Sequence, residues 1–187
     1  ISWYSLLIVA GILIGLAFCS RESRRYRISQ DALLDFLLYA IPLGIVFARL
    51  YYVVFRFNMY SDDLLSVFNI REGGLAIYGG IIGGLFAARI VSRKHGISML
   101  SLLDLIAPAL ALGQAIGRWG NYINMEAYGL RVAEEALQFF PFAVEIPVGD
   151  FWYWHMATFF YEFCWNVVVF SLLLLIRNHA RRSGDVF

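Results

Sequence analysis

The sequence predicts an all-α protein, a polytopic bundle of five transmembrane helices that fold as one domain over residues 1–187. Three observations predict it. Sixty per cent of the 187 residues are hydrophobic and 16% are charged, against about 45–50% and about 25% in soluble domains, so polar residues are too few to cover a water-facing surface. The apolar residues gather in stretches near the length of about 20 that a helix needs to cross a bilayer. The basic residues fall in alternate connections between those stretches. The same composition excludes a disordered chain, a collagen-like chain and a disulfide scaffold. A net charge of +1 lacks the basic footprint of a nucleic-acid binder.

The first span runs from Ile1 to about Phe18. It is not a signal peptide, because no charged segment precedes it and no small-residue cleavage site follows; a first residue other than Met suggests a trimmed start. The second covers about Leu33–Phe55 and the third about Leu75–Val91. The fourth covers about Leu102–Ile123 and accommodates Pro108, as membrane helices do. The fifth covers about Ala157–Ile176.

Basic residues orient the bundle. Arg21, Arg24, Arg25 and Arg27, then Arg89, Arg93 and Lys94, then Arg177, Arg181 and Arg182 lie on one side, which the positive-inside rule makes cytoplasmic. On the other side Arg56, Arg71 and Arg131 face seven acidic residues: Asp62, Asp63, Glu72, Glu134, Glu135, Glu145 and Asp150. The N-terminus is thus expected outside and Phe187 inside. Trp3, Tyr60, Trp119, Tyr122 and Trp152–Trp154 fall at the outer ends, where an aromatic belt belongs.

Two cations remain inside spans, Arg49 and Arg118, and an ionisable residue at membrane depth is a functional candidate by default. Given the orientation, both lie near outer ends. Gln114, Arg118 and Asn121 share one helical face by their spacing of four and three, Asn124 extends it, and Glu126 lies at the same depth or just beyond. Tyr4, Tyr78, His155, Thr158, Tyr161 and Glu162 belong to the same level. Three readings stay open from the residues alone: arginines that snorkel to the headgroups, polar glue between helices, or a two-arginine fork for a phosphate. Asp35 and Asp104 lie at the opposite ends and are expected to favour helix N-termini.

Six glycines, Gly73, Gly74, Gly79, Gly80, Gly83 and Gly84, fall within twelve residues. Gly83 and Gly84 suit close helix packing, whereas Gly73 and Gly74 could let backbone amides approach an anion. His95 and His179 read as solvated cytoplasmic residues, and Cys19 and Cys164 as small apolar fillers. No clustered ligand spacing supports a metal, and no motif supports a serine hydrolase or an NTPase.

The stretch Gly117-Arg118-Trp119-Gly120-Asn121-Tyr122-Ile123-Asn124-Met125-Glu126-Ala127-Tyr128-Gly129 resembles the signature G-R-x-G-N-[FY]-x-N-x-E-x-x-G of the prolipoprotein diacylglyceryl transferase family. Ala48–Tyr52, Glu72–Gly80 and His155–Glu162 agree in the expected order. Tyr78 stands where many members have His, as in the Gram-positive branch, and Ala157 replaces a usual proline. The family continues beyond the equivalent of Phe187 through two further spans that carry another arginine motif. The chain is therefore expected to be shortened or split, with little or no activity by itself.

The resemblance implies transfer of the diacylglyceryl group of phosphatidylglycerol to the lipobox cysteine of a prolipoprotein signal peptide. The expected setting is the outer leaflet of the bacterial cytoplasmic membrane, and no cofactor or metal is required. It implies catalytic roles for Arg118, Tyr78 and Glu126. Headgroup binding falls to Arg118, Arg49, Asn121, Asn124, Gln114, Gly79, Gly80, Tyr4 and Gly129, with His155, Tyr161 and Glu162 as secondary candidates. Glu126 is expected to pair with an arginine. The alternatives are a small transporter or channel for an anionic solute, or an inactive lipid-binding paralogue.

Overall fold

A long apolar stretch leaves the backbone no water to bond with in a bilayer, and a helix satisfies its N–H and C=O groups internally. The computed structural model describes residues 3–60, 63–70, 73–179 and 183–187. Ile1, Asp62, Arg71, Glu72, Arg181 and Arg182, all named above, lie outside the described residues. The long helices are α1 (Trp3–Glu22), α2 (Gln30–Phe55), α3 (Ile77–His95), α4 (Met99–Ile123) and α5 (Thr158–His179). Among the described residues four of these, α1, α2, α4 and α5, are long and apolar enough to cross a membrane, which makes the chain a multi-pass membrane protein. The expected third span corresponds to α3, which falls short of that test. Its four glycines and its charged last turns, with Arg89, Arg93 and Lys94, dilute its apolar character.

An all-helical reading also misses two strands. β1 (Ala143–Val148) and β2 (Phe151–Met156) pair antiparallel, with Val148 opposite Phe151 and Ala143 opposite Met156. The two-residue link Gly149-Asp150 closes the hairpin, with Gly149 at φ +64°, a value glycine reaches freely.

Contacts divide the chain into two compact units, Ile1–Glu22 with Asp104–Phe187, and Ser23–Leu103. In the first, α1 runs antiparallel to α4 along a seam of small residues. A Cβ on Gly11 would lie 3.5 Å from the Gly113 carbonyl oxygen, and one on Gly15 would lie 3.6 Å from Ala109. Further along the seam the Cys19 Sγ reaches the Leu105 carbonyl at 3.6 Å. α5 joins through Arg177 Nη1 on Glu22 at 2.7 Å and Phe18 against Phe170. Trp119 of α4 packs edge-on against Phe159 and Phe163 of α5. Val144 and Ile146 of β1 bury against Ala157 and Phe159, so the hairpin grows out of the α4–α5 seam.

Asp104 does not act simply at a helix start. Its buried carboxylate accepts the backbone N–H groups of Gly184, Val186 and Phe187 at 2.6, 3.1 and 2.9 Å. In the second unit α2 and α3 run antiparallel, with the Ala76 N–H on the Ala48 carbonyl at one end. At the other end Asp35 Oδ2 meets Lys94 Nζ at 2.8 Å and His95 Nε2 at 2.6 Å. His95 is therefore engaged in this ion-pair cluster and is not a freely solvated residue.

Candidate functional site

The thirteen-residue signature ends α4 and turns the chain outward, and its spacing has a local cause. The helix closes on the double bond of a Schellman cap: the Met125 N–H binds the Tyr122 carbonyl at 3.0 Å and the Glu126 N–H binds the Asn121 carbonyl at 2.9 Å. Met125 takes the left-handed position at φ +53°, and Ala127 follows at φ +54°, strained values for non-glycine residues. This turn folds Glu126 back, so that its Oε1 accepts the Asn121 and Asn124 side-chain amides at 3.2 and 3.4 Å. Glu126 thus pairs with two asparagines. The expected arginine partner is a correction, because the cap aims its carboxylate along its own turn.

The arginine finds its carboxylate on α5. Arg118 Nε lies 2.6 Å from Glu162 Oε2, with the two side chains 35% and 49% exposed. A side-on bond through Nε leaves both Nη groups unspent among the described residues, and these form the end-on face of the guanidinium fork. In the sequence Glu162 is only a secondary candidate. The antiparallel packing of α4 and α5 brings the start of one helix against the end of the other.

The same turn is stitched to its neighbours. The Gly120 position admits no side chain, because a Cβ there would sit 2.5 Å from the Tyr4 ring. Thr158 donates its hydroxyl to the Ala127 carbonyl at 2.5 Å, and the Gly129 N–H binds the Met156 carbonyl at 3.0 Å. A Cβ on Gly129 would lie 2.8 Å from both Met156 and Thr158, so glycine is demanded there by close approach. His155 Nδ1 lies 3.0 Å from the Gly129 carbonyl. A carbonyl can only accept, so Nδ1 carries the proton and Nε2 is the open nitrogen. Tyr161 donates its hydroxyl to the Phe142 carbonyl. Gln114 is exposed one turn before Arg118 and joins none of these bonds.

The remaining candidates belong to the other unit, where Arg49 has a different occupation from the expected fork. Its side chain is buried, and all five N–H donors go to backbone carbonyls. Nε binds Val67 at 2.7 Å, Nη1 binds Gly73 and Gly74 at 2.9 and 3.2 Å, and Nη2 binds Ser66 and Asn69 at 2.8 and 3.1 Å. The Tyr60 ring covers the guanidinium at 5.1 Å. Gly73 and Gly74, at φ +87° and +75°, turn their carbonyls onto this arginine, and a Cβ on Gly74 would run into Nη1. Nothing in the arginine's own helix signals those acceptors, which lie 17 to 25 residues downstream.

Tyr78 is 65% exposed, its ring 6.0 Å from Tyr51. Gly79 is spent on packing, since a Cβ would meet the Phe47 and Ala48 backbone, while Gly80 faces open space. Packing also falls on Gly83, against Leu43 and Gly44, and not on Gly84, which is open. The close-packed pair is therefore Gly79 and Gly83, one helical turn apart.

A family model described as prolipoprotein diacylglyceryl transferase matches residues 1–187. The chain is 45% identical over 190 residues to the phosphatidylglycerol–prolipoprotein diacylglyceryl transferase of Halalkalibacterium halodurans, covering 100% of this chain and 65% of that protein. It is 40% identical over 189 residues to the protein of that name from Shouchella clausii, covering 100% of this chain and 68% of that one. With the Bacillus mycoides protein the figures are 42% over 188 residues, 99% and 69%. The chain spans 65–69% of the length of these curated relatives.

Proposed function

The chain belongs to the prolipoprotein diacylglyceryl transferase family, and on that premise we propose that it serves transfer of the diacylglyceryl group of phosphatidylglycerol to the lipobox cysteine thiol of a prolipoprotein. The single observation that carries this reading is the Arg118–Glu162 pair beside the Asn121–Asn124–Glu126 turn. It offers a fixed guanidinium whose two Nη groups suit a phosphate diester, next to amides already oriented by a carboxylate. The site is taken to face the outer leaflet of the bacterial cytoplasmic membrane, in keeping with the basic residues gathered on the opposite side.

The reaction is a substitution at carbon. The cysteine sulfur attacks the glycerol CH₂ that bears the phosphate, a C–S bond forms, and the C–O bond breaks. The electron pair leaves with glycerol phosphate, and the thiol proton passes to a base. No electrons change hands, so no redox partner is needed. Charge builds on the departing phosphate, where donors held in a low-dielectric site act most strongly. Arg118 stabilises that charge and, by proximity, favours the thiolate over a thiol of ordinary pKa about 8.5. Glu162 holds the Arg118 stem, and Glu126 holds the amides of Asn121 and Asn124 toward the headgroup hydroxyls. Tyr78 is assigned a hydrogen-bonding or proton-relay role. Arg49 supports the loop between α2 and α3 and does not contact the phosphate.

The test is transfer from radiolabelled phosphatidylglycerol to a lipobox peptide in host membranes. Arg118→Ala is expected to abolish transfer while the protein stays membrane-inserted. Unaltered turnover in that variant overturns the assignment.

A further inference from the structure

Beside the signature turn lies a groove of about 440 Å³, within the range of about 300–1,000 Å³ typical of ligand sites. The aromatic residues Tyr122, Phe140, Trp152 and Trp154 line it together with Met125, and Glu145 supplies the charge. Consecutive residues Ala143 to Ile146 all line it, so it takes in the backbone edge of β1 as well as the hairpin face that carries Glu145, Trp152 and Trp154. Which edge follows from the register. The two-residue link makes Val148 and Phe151 a hydrogen-bonded pair. The alternation then makes Ile146–Tyr153 and Val144–His155 bonded pairs as well. Glu145 therefore turns its N–H and C=O away from β2. The far edge of β2 is already covered, since Val132 N–H binds the Trp154 carbonyl and Met156 N–H binds the Leu130 carbonyl. Among the described residues β1 thus carries the free edge of this small sheet. Pro147, which has no N–H to offer, limits the pairing to a short stretch.

We propose that this groove receives an extended segment of the prolipoprotein, which adds to the free edge of β1 and seats apolar side chains among the aromatic residues that line it. The proposal rests on the transferase reading and names where its second substrate docks. Two features favour a polypeptide over a lipid. A peptide backbone can both donate to and accept from Glu145, the pattern of strand addition, which an acyl chain cannot do. The connection between α4 and α5, beyond the signature turn, also carries Glu134, Glu135, Glu145 and Asp150 against Arg131, a balance that repels an anionic headgroup and suits a neutral or basic peptide.

The test is photocrosslinking in host membranes from Trp152→benzoylphenylalanine, a position 58% exposed. The probe is a short fluorescent peptide copied from a host prolipoprotein around its acceptor cysteine. Capture of the peptide is expected, weakened about tenfold by Glu145→Lys, which reverses the charge in the groove. Glu145→Lys is also expected to raise the peptide KM by a similar factor and leave the phosphatidylglycerol KM unchanged. Capture of phosphatidylglycerol instead, or equal peptide capture and equal peptide KM in Glu145→Lys, overturns the proposal. Capture needs no turnover, so the two ideas fail separately. Transfer without capture removes the groove as the docking site, and capture without acylation in a protein of the relatives' full length that carries this chain removes the transferase reading.

Discussion

Arg118 Nε and Glu162 Oε2 stand 2.6 Å apart, joining the C-terminal end of α4 to the start of α5 and fixing the guanidinium by its side instead of its tip. That choice of nitrogen has a consequence. A carboxylate that took both Nη groups would leave the arginine no face for a phosphate, whereas a bond through Nε holds the stem and frees the fork.

Removing that hold should cost rate more than folding. In Glu162→Gln the amide can still touch Nε but no longer fixes it as an ion. Both side chains are part-exposed, so the effect on stability should stay within about 1 kcal/mol. On the proposed reading transfer depends on the aim of the fork, and kcat is expected to fall about tenfold, roughly 1.4 kcal/mol of barrier, with less change in KM. Arg118→Lys should be nearly as damaging as Arg118→Ala, because a point charge replaces a planar fork. Single-turnover assays on each variant check both statements. A Glu162→Gln enzyme of full kcat would show that the pair does not aim the arginine.

The second membrane arginine calls for the opposite expectation. Arg49 is buried with five carbonyl bonds, so Arg49→Ala strands several acceptors at once. At about 1.5–3 kcal/mol for a bond to a charged donor, the loss should reach about 3 kcal/mol or more. It should appear as a lower Tm in detergent and as faster proteolysis of the segment between α2 and α3. Arg49→Lys should recover only part, since three donors on a flexible stem cannot span carbonyls from Ser66 to Gly74. An Arg49→Ala protein of normal Tm and normal protease resistance would contradict the cage.

The contrast between these arginines marks what the sequence makes legible. Hydropathy and the placement of Arg and Lys reveal α1, α2, α4 and α5, because the bilayer enforces both. The motif around Arg118 is legible because its partners are local, with Asn121, Asn124 and Glu126 bonded across five residues or fewer. The partners of Arg49 are backbone carbonyls, which every residue has, so no side-chain pattern announces them. Glu162 and Glu126 are both plausible partners for Arg118 in one dimension, and the helix crossing decides between them. The hairpin is hidden for a different reason. Trp152, Tyr153 and Trp154 fit an aromatic belt as well as a strand, and the belt masks the Gly-Asp turn signal between Val148 and Phe151.

At the other end of the α2–α3 pair, pH should act through Lys94. Its hydrogen bond to Asp35 holds the Lys94 ammonium above its ordinary 10.5, and the Tyr39 ring lies 5.9 Å from Nζ. His95 Nε2 shares the same Asp35 oxygen at 2.6 Å. A raised value in the folded protein means stability that is fully present below 10.5 and is lost as pH climbs through the raised value. Melting profiles from neutral to strongly alkaline pH should therefore fall more steeply in the natural protein than in Lys94→Met. Parallel profiles would show that the pair contributes nothing to folding.

The glycines of α3 allow the sharpest comparison, because four equivalent substitutions on one helix should divide by face. A Cβ on Gly83 would come within 2.5 Å of the Leu43 carbonyl oxygen and 2.8 Å of Gly44, and one on Gly79 would strike the Phe47 and Ala48 backbone. These neighbours are main chain and cannot swing aside, so Gly79→Ala and Gly83→Ala must push α2 and α3 apart. Overpacking of this kind typically costs about 1–3 kcal/mol. At Gly80 and Gly84 a Cβ would have nothing within 4 Å, and alanine there should be neutral or stabilising by up to about 1 kcal/mol, the helix-propensity difference. Tm values of the four variants in one detergent decide the matter. Should Gly80→Ala keep its Tm and still lose transfer, Gly80 acts on substrate through its open surface. Should Gly79→Ala and Gly83→Ala melt like the natural protein, the close approach of the two helices is not what requires glycine.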